Sequence, residues 1–209
     1  SMANTAASPH SKIIGQRELV VIVALLMSLN ALAIDAMLPA LGQMAAELGV
    51  QDGNRRQLVV AVYLLANGLG CLLPGSLADR FGRRPVLFVS LAAYAACSLL
   101  IAAIHSFEVL LALRGIQGVL CAGLMVVPTA IIRDQYEGDR MARLMSLVSA
   151  VFITVPVIAP SLGQGVLLFA GWRWIFILFA IVAAAMCLWV WLRLPETLHP
   201  ENRQRIELP

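Results

Sequence analysis

The chain carries the stretch Gly75-Ser76-Leu77-Ala78-Asp79-Arg80-Phe81-Gly82-Arg83-Arg84-Pro85, a charged turn between two long apolar runs. The run that leads into it covers residues 57–78, and the run that follows covers residues 85–104. Each is about 20 residues long, the length that an α-helix needs to cross a bilayer. The stretch therefore predicts a tight loop that joins two membrane-spanning helices on one side of the membrane.

Apolar runs of similar length recur along the rest of the chain, at residues 19–41, 109–132, 143–169 and 174–192. The whole chain is 60% hydrophobic and 13% charged, whereas a soluble domain is about half apolar and a quarter charged. Six spans occupy most of the 209 residues, so the loops between them are short. The sequence predicts an all-α membrane protein with six transmembrane helices and no soluble domain.

The basic residues are divided unequally between the two sides of these spans. Lys and Arg accumulate in cytoplasmic loops, and the side that holds both termini carries eleven of them against three on the other side. Both termini are therefore expected in the cytoplasm. Because these residues are dispersed among loops, the net charge of +3 does not indicate a nucleic-acid partner. The three on the outer side are Arg55, Arg56 and Arg173.

The composition also divides the chain along its length. Residues 1–16 are polar and are expected to form a flexible cytoplasmic N-terminus. Residues 17–194 are predicted to form the six-helix domain. Residues 195–209 are charged and contain three prolines, and we interpret them as a cytoplasmic linker that is truncated.

Asp35 and Arg114 are the only charged side chains inside their spans. A charge at bilayer depth costs about 3 kcal/mol on insertion scales, so it is usually paired or faces an aqueous cavity. An acid on one helix and a base on another suggest a pathway for protons or ions. The alternative is a structural pair that locks two helices together. We favour the coupling interpretation, because intramembrane charges are functional by default.

Further polar side chains lie on helix faces near these charges. Arg114, Gln117 and Met125 fall on one stripe of the fourth span, at helical spacing. Tyr63 and Asn67 lie four residues apart on one face of the second span. Polar side chains in membranes both bond neighbouring helices and line cavities, and for Tyr63 and Asn67 these two roles stay open.

The predicted spans lack the residue patterns of the enzymes that work inside membranes. The three histidines, His10, His105 and His199, all fall in loops, which argues against metalloprotease and serine-protease sites. An aspartyl site needs two carboxylates that share a proton, and only Asp35 lies inside a span. We expect no enzyme activity, no metal site and no cofactor.

The charged turn at residues 75–85 resembles the G-x-L-A-D-R-x-G-R-R signature of the major facilitator superfamily. Asp35-Ala36-Met37-Leu38-Pro39-Ala40-Leu41 resembles the first helix of the bicyclomycin and chloramphenicol resistance group within it. The resemblance covers residues 17–198. It continues in Arg114-Gly115-Ile116-Gln117-Gly118, in Arg133-Asp134, in residues 156–163, in residues 172–176 and in Leu194-Pro195-Glu196-Thr197.

This resemblance implies a fold of twelve helices in two halves, of which the chain corresponds to the first half, built from two three-helix repeats. It implies proton-coupled efflux of small amphipathic molecules across the bacterial inner membrane. The partners would be a small-molecule substrate, protons, the lipid bilayer, and either a second six-helix half or a second copy of the chain. The alternative is an isolated half that folds and assembles without transporting anything.

The resemblance also implies roles for individual residues. Asp35 and Arg114 would couple transport to protons. The substrate cavity would include Asn30, Tyr63, Asn67, Gln117 and Met125. The change of conformation would involve Gly75, Asp79, Arg80, Gly82, Arg83, Arg84, Asp134, Pro156, Pro160 and Gly163.

Overall fold

A computed structural model of the chain describes residues 14–198, and all regular structure in that range is helical. This confirms the prediction of an all-α fold. The elements in chain order are α1 (Gln16–Asp35), a 3-10 turn (Leu38–Ala40), α2 (Leu41–Glu47), α3 (Gly53–Arg56), α4 (Leu58–Gly70), α5 (Pro74–Phe81), α6 (Arg83–Ala103), α7 (Phe107–Leu120), α8 (Gly123–Gln135), α9 (Gly138–Phe169) and α10 (Arg173–Arg193).

Within the described residues, five helical segments are long and apolar enough to cross a membrane. They are formed by α1 with α2, by α6, by α7 with α8, by α9 and by α10. A sixth span results if the bent pair Gly53–Gly70 and Pro74–Phe81 counts as one. The six predicted runs thus correspond to helices of the structure, whereas the two three-helix repeats and the cytoplasmic position of the termini stay predictions.

The second span is bent by 45° where the sequence predicts one continuous helix. The helix α4 ends at Gly70, and Pro74 occupies the first turn of α5. Proline has no N–H to donate to the preceding turn and fits best at a helix start. Leu72 and Leu73 bond back three residues, to Leu69 and Gly70, and so tighten the chain between the two helices. The bend therefore follows from local sequence.

The fourth span is also interrupted, at Cys121 and Ala122 between α7 and α8. Leu124 and Met125 bond back three residues to the carbonyl groups of Cys121 and Ala122. Hydrogen bonds that span three residues instead of four change the rotation of the following helix about its axis relative to the preceding one. The predicted stripe on this span is consequently split, with Arg114 and Gln117 on α7 and Met125 on α8.

Glycines allow the helices to approach one another closely. A methyl group at Gly118 would lie 2.7 Å from the carbonyl oxygen of Tyr63, and one at Gly70 would lie 2.7 Å from that of Val119. Small residues drive helix packing in membranes, because lipid offers no hydrophobic force between helices. The contact between α4 and α7 is therefore fixed by these two glycines.

Burial in the described residues extends past both predicted ends of the six-helix domain. Ile14 is already buried, so packing against the domain begins before the predicted start at residue 17. At the other end, Leu194 and Thr197 are buried after α10 ends. Most of the predicted N-terminus and the linker from residue 199 onward lie outside the described residues.

Candidate functional site

Arg114 lies at the centre of a buried polar cluster, and its side chain is completely shielded from solvent. Its Nε donates to the carbonyl oxygen of Val59 at 3.1 Å, and its Nη1 donates to Oε1 of Gln117 at 3.3 Å. The guanidinium carbon lies 4.3 Å from the ring centre of Tyr63, a cation–π geometry. Its Nη2 is buried without a hydrogen-bond partner among residues 14–198. Neutral groups therefore hold this cation, and it keeps an unused donor.

Asp35 and Arg114 do not form an ion pair in the described part of the chain. Asp35 is the last residue of α1 and is half-buried. The hydrogen bonds of Arg114 go instead to α4 and within α7. The idea of a locked structural pair is therefore wrong for this conformation.

Tyr63 and Asn67 both bond neighbouring helices, one of the two roles left open by the sequence. The buried Tyr63 hydroxyl donates to Oδ1 of Asn30 at 2.7 Å, which links α4 to α1. Asn67 accepts from Asn30 at 3.5 Å and donates to the carbonyl oxygen of Gly118 at 2.9 Å, which links α4 to α7. Asn67 stays half-buried, so it also has a face that is accessible.

Gln117 extends the cluster to α6, through residues that the sequence analysis missed. Its Nε2 donates to Oγ of Ser98 at 2.9 Å and to the carbonyl oxygen of Tyr94 at 3.2 Å. The Tyr94 hydroxyl donates to the carbonyl oxygen of Leu29 at 2.9 Å, on α1. Tyr94 and Ser98 lie four residues apart in an apolar span, and this spacing was the available signal. The cluster thus joins α1, α4, α6 and α7.

Met125 is half-buried on α8, beyond the interruption of the fourth span. A methionine side chain is flexible and polarizable, so it adapts to apolar ligands. Of the five cavity residues predicted, Met125 and Asn67 are the half-buried ones. Asn30, Tyr63 and Gln117 are buried and engaged in hydrogen bonds.

A second cluster forms around Arg83, at the end of the bundle that carries the charged turn. Arg83 donates to both oxygens of Asp134, from Nε at 2.8 Å and from Nη2 at 2.9 Å, and from Nη1 to Asp79 at 2.7 Å. Its side chain is only 6% exposed, against 13% for Asp134 and 43% for Asp79. Arg83 and Asp134, both implied by the resemblance as conformational residues, are therefore paired in the two-pronged geometry that arginine favours.

Glu196, which follows α10, closes this cluster from a distant part of the chain. Its carboxylate accepts from the backbone N–H groups of Arg83 at 2.7 Å and Arg84 at 2.9 Å. These N–H groups begin α6 and have no partner inside the helix. Thr197 donates to Asp134 at 2.7 Å. In the sequence, Glu196 and Thr197 belong to the Leu194–Thr197 motif, which by itself indicates no role for either side chain.

The glycines of the charged turn behave differently from one another. Gly82 has φ of +102°, which is accessible to glycine and strained for other residues, and it makes the predicted tight reversal. A methyl group at Gly75 would meet Val126 at 3.6 Å, an ordinary contact. Gly75 is therefore not a point of close helix approach. Arg80 is exposed, and its guanidinium carbon lies 5.6 Å from the ring centre of Phe81.

The residues predicted on the fifth span lie in an uninterrupted α9. Pro156 is exposed and Pro160 is half-buried. Gly163 instead packs within the domain, where a methyl group would lie 1.8 Å from the carbonyl oxygen of Ala36, the residue after Asp35. Gly163 therefore contributes to the packing of α9 against the end of α1.

The two clusters lie far apart along the bundle. Arg114 and Asp134 are 20 residues apart on the same span, or about 30 Å at the rise of an α-helix. No group of three or more histidine, cysteine or acidic side chains within residues 14–198 is arranged to hold a metal ion. The structure thus separates a mid-span polar cluster from an ionic cluster at one end.

Comparisons with known proteins place this arrangement in a family. A sequence model of the Major Facilitator Superfamily matches residues 23–209. A chloramphenicol resistance protein from Pseudomonas aeruginosa is 35% identical over 81% of this chain and 40% of its own length. A bicyclomycin resistance protein homolog from Haemophilus influenzae is 29% identical over 88% of this chain and 46% of its own length.

A solved structure shows the same fold. The crystal structure of the human organic anion transporter MFSD10 matches with a TM-score of 0.67 and 25% identity, over 94% of this chain and 50% of that one. Multidrug resistance protein D from Escherichia coli is 31% identical over 91% of this chain and 48% of its own length. The chain thus spans less than half the length of these curated relatives.

The family explains the composition of the chain. It makes the chain a membrane protein of a transporter family and not an enzyme, as the sequence predicts. The predicted location in the bacterial inner membrane agrees with the apolar spans and with the bacterial relatives. Since the family model covers nearly all of the sequence, the chain belongs to the Major Facilitator Superfamily.

Proposed function

We propose that the chain is one half of a drug:proton antiporter that exports small amphipathic molecules. The names of the relatives, which mention bicyclomycin, chloramphenicol and multidrug resistance, support this class of substrate. The observation that carries the proposal is Arg114, a fully buried cation with an unused donor and no acidic partner within residues 14–198. A permanently unpaired charge at this depth is costly, so a passing ligand or acid is its natural partner.

In this proposal Asp35 carries the proton. Its position at the end of α1 leaves it half-buried, so it exchanges protons with an aqueous cavity. The unused donor of Arg114 donates to the substrate, and Asp35 binds the proton; in antiport the two bind in turn, so that protonation of Asp35 releases the substrate. Such exclusive binding couples proton uptake to substrate release, because each partner requires the other to leave.

The cavity residues divide into two roles. Tyr63, Gln117 and Asn30 hold Arg114 and the helices in place through their hydrogen bonds. Asn67 and Met125, being half-buried, contact the substrate. The adaptable Met125 side chain suits a protein that takes several amphipathic molecules.

The ionic cluster around Arg83 sets the balance between conformations. Arg83 joins α5, α6 and α8 through its two acidic partners, so these helices move together while the pairs persist. Glu196 ties the segment after α10 to the same point. In a complete transporter this segment leads toward the second half, which links the two halves to one conformational element.

The proton-coupling role is tested by Asp35→Asn in proteoliposomes with an imposed pH gradient. The isosteric amide binds no proton near neutral pH, so gradient-driven accumulation of chloramphenicol should fall to the level without a gradient. Binding of chloramphenicol should no longer depend on pH, and the fold should persist. Asp52→Asn is the matched control, because Asp52 is an exposed acid that caps α3, and asparagine caps a helix equally well. Gradient-driven accumulation in the Asp35→Asn protein would remove Asp35 from the mechanism.

The same assay separates the possible assemblies. The chain is reconstituted alone and together with the second six-helix half of one of the relatives. Transport by the chain alone supports a homodimer, and transport only with the added half supports a two-half transporter. Absence of transport in both cases, with the folded protein present, supports the alternative of a half without activity of its own.

The partner is expected to cover the exposed face of α9, which is the least buried of the five spans. Val157 on this face is 75% exposed, whereas Ala159 is 1% exposed and packs against α1. In a background without the native cysteines, Val157→Cys should therefore crosslink to a second copy of the chain in membranes, and Ala159→Cys should not. A dimer that crosslinks instead through Ile181→Cys on α10 would contradict this face as the interface.

A further inference from the structure

A long apolar groove runs between α6 and α10, on a face that the polar cluster does not use. It has a volume of about 690 Å³ and is open along one side. Alanines form its middle, including Ala92, Ala95 and Ala184. Larger side chains, Phe88 and Trp191, lie on its walls. Apart from Cys187 and the indole N–H of Trp191, the side chains that line it are apolar, so an occupant within the groove must be largely apolar.

A positive charge marks the end of this groove nearest the charged turn. Arg84 donates from Nη2 to the carbonyl oxygen of Trp191 at 3.1 Å, and its guanidinium carbon lies 5.3 Å from the ring centre of Phe88. Trp191 and Phe88 both line the groove. Arg84 is therefore held at the mouth of the groove by two of its wall residues.

Unlike its neighbour Arg83, Arg84 has no acidic side-chain partner among the residues that the structure describes. Arg83 is neutralised by Asp79 and Asp134. No ion pair of Arg84 exists within residues 14–198, and its Nε is buried without a hydrogen-bond partner in the same range. A guanidinium has five N–H donors, so most of the bonding capacity of Arg84 is unused.

We propose that the groove between α6 and α10 binds an anionic phospholipid, with an acyl chain along the alanines and the phosphate at Arg84. Arginine binds phosphate oxygens through charge-assisted, often paired hydrogen bonds. Trp191 is 64% exposed beside Arg84, and tryptophan prefers the headgroup level of a bilayer. Apolar lining, a terminal cation and an interfacial tryptophan together match the chemistry of one lipid molecule.

The proposal is tested by native mass spectrometry of the purified protein with phosphatidylglycerol and phosphatidylcholine of identical acyl chains. The protein should retain phosphatidylglycerol in preference. Arg84→Gln should lower the amount of phosphatidylglycerol that the protein retains by about five-fold, which is the effect of removing one basic contact to an anionic lipid. Arg140→Gln is the charge control, because Arg140 is exposed and lies outside the groove. It should leave the preference unchanged.

The groove itself is tested with two adjacent residues of α10. Ala184→Phe fills the groove and should lower retention of both lipids, whereas Ala185→Phe is exposed outside it and should not. Equal loss from Arg84→Gln and Arg140→Gln would mean general attraction of lipid to basic loops and would overturn the proposal. Equal behaviour of the two phenylalanine variants would overturn it as well. Capture of a protein chain in the groove, without phosphatidylglycerol, would show an interface for a protein helix instead.

Discussion

Arg114→Lys is expected to lower the transport of chloramphenicol by about 100-fold, although lysine keeps the positive charge. Arg114 uses two different nitrogens, Nε to Val59 and Nη1 to Gln117. A lysine has one ammonium group and no planar fork, so it reproduces neither bond with the same geometry. Hydrogen bonds to charged groups contribute about 1.5–3 kcal/mol each. Loss of two at the lower end of this range, about 3 kcal/mol, corresponds to about 100-fold.

The measurement is uptake of radiolabelled chloramphenicol into proteoliposomes that contain the assembled transporter. Size-exclusion chromatography of each variant shows whether it still folds. Arg140→Lys, at an exposed position, is the control and should transport normally. Full transport by Arg114→Lys would mean that the site needs only a point charge. Normal transport by Arg114→Gln would exclude any role of the charge.

Gly163→Ala is expected to destabilise the domain by about 1–3 kcal/mol, the usual effect of overpacking a close contact. The added methyl group would lie 1.8 Å from the carbonyl oxygen of Ala36, so α1 and α9 must separate. Because Ala36 follows Asp35 directly, the displacement should also impair proton-coupled transport. Gly163→Val, with a larger side chain, should prevent folding of most of the protein.

Gly165 provides the matched control on the same helix. A methyl group there would meet nothing within 4 Å, so Gly165→Ala removes backbone freedom without a clash. It should leave stability unchanged or raise it, since glycine within a helix is about 1 kcal/mol less favourable than alanine. Unfolding in mixed micelles measures both effects. Equal stability of the two alanine variants would contradict the close contact between α1 and α9.

The ionic cluster around Arg83 shows which contacts a local sequence motif can predict and which it cannot. Asp79 and Arg83 are four residues apart, and Gly82 permits the sharp turn that brings α6 back along α5. The sequence therefore predicted a tight charged loop here, and the family resemblance placed Arg83 and Asp134 in one set of conformational residues. It gave no role to Glu196, which is 113 residues from Arg83 and reaches it only through the packing of α10 on α6.

The mid-span cluster was predictable in its members but not in its bonds. Asp35, Arg114, Tyr63 and Asn67 are conspicuous because polar groups are costly in an apolar span. Which of them meet depends on the rotation of each helix about its axis. The interruption at Cys121 and the bend before Pro74 change those rotations, and composition alone does not specify the result.

By itself, the amino-acid sequence determined that this protein is a helical membrane protein with six apolar segments and a charged reversal at residues 75–85. These properties are local, since hydropathy and turn formation depend on neighbouring residues. Only the tertiary structure decided that Arg114 bonds to Val59 and lies against the Tyr63 ring instead of pairing with Asp35. It also decided that Gly163 faces the end of α1. The physical reason is that contacts between helices depend on rotation and depth, which are set by close packing across the whole bundle.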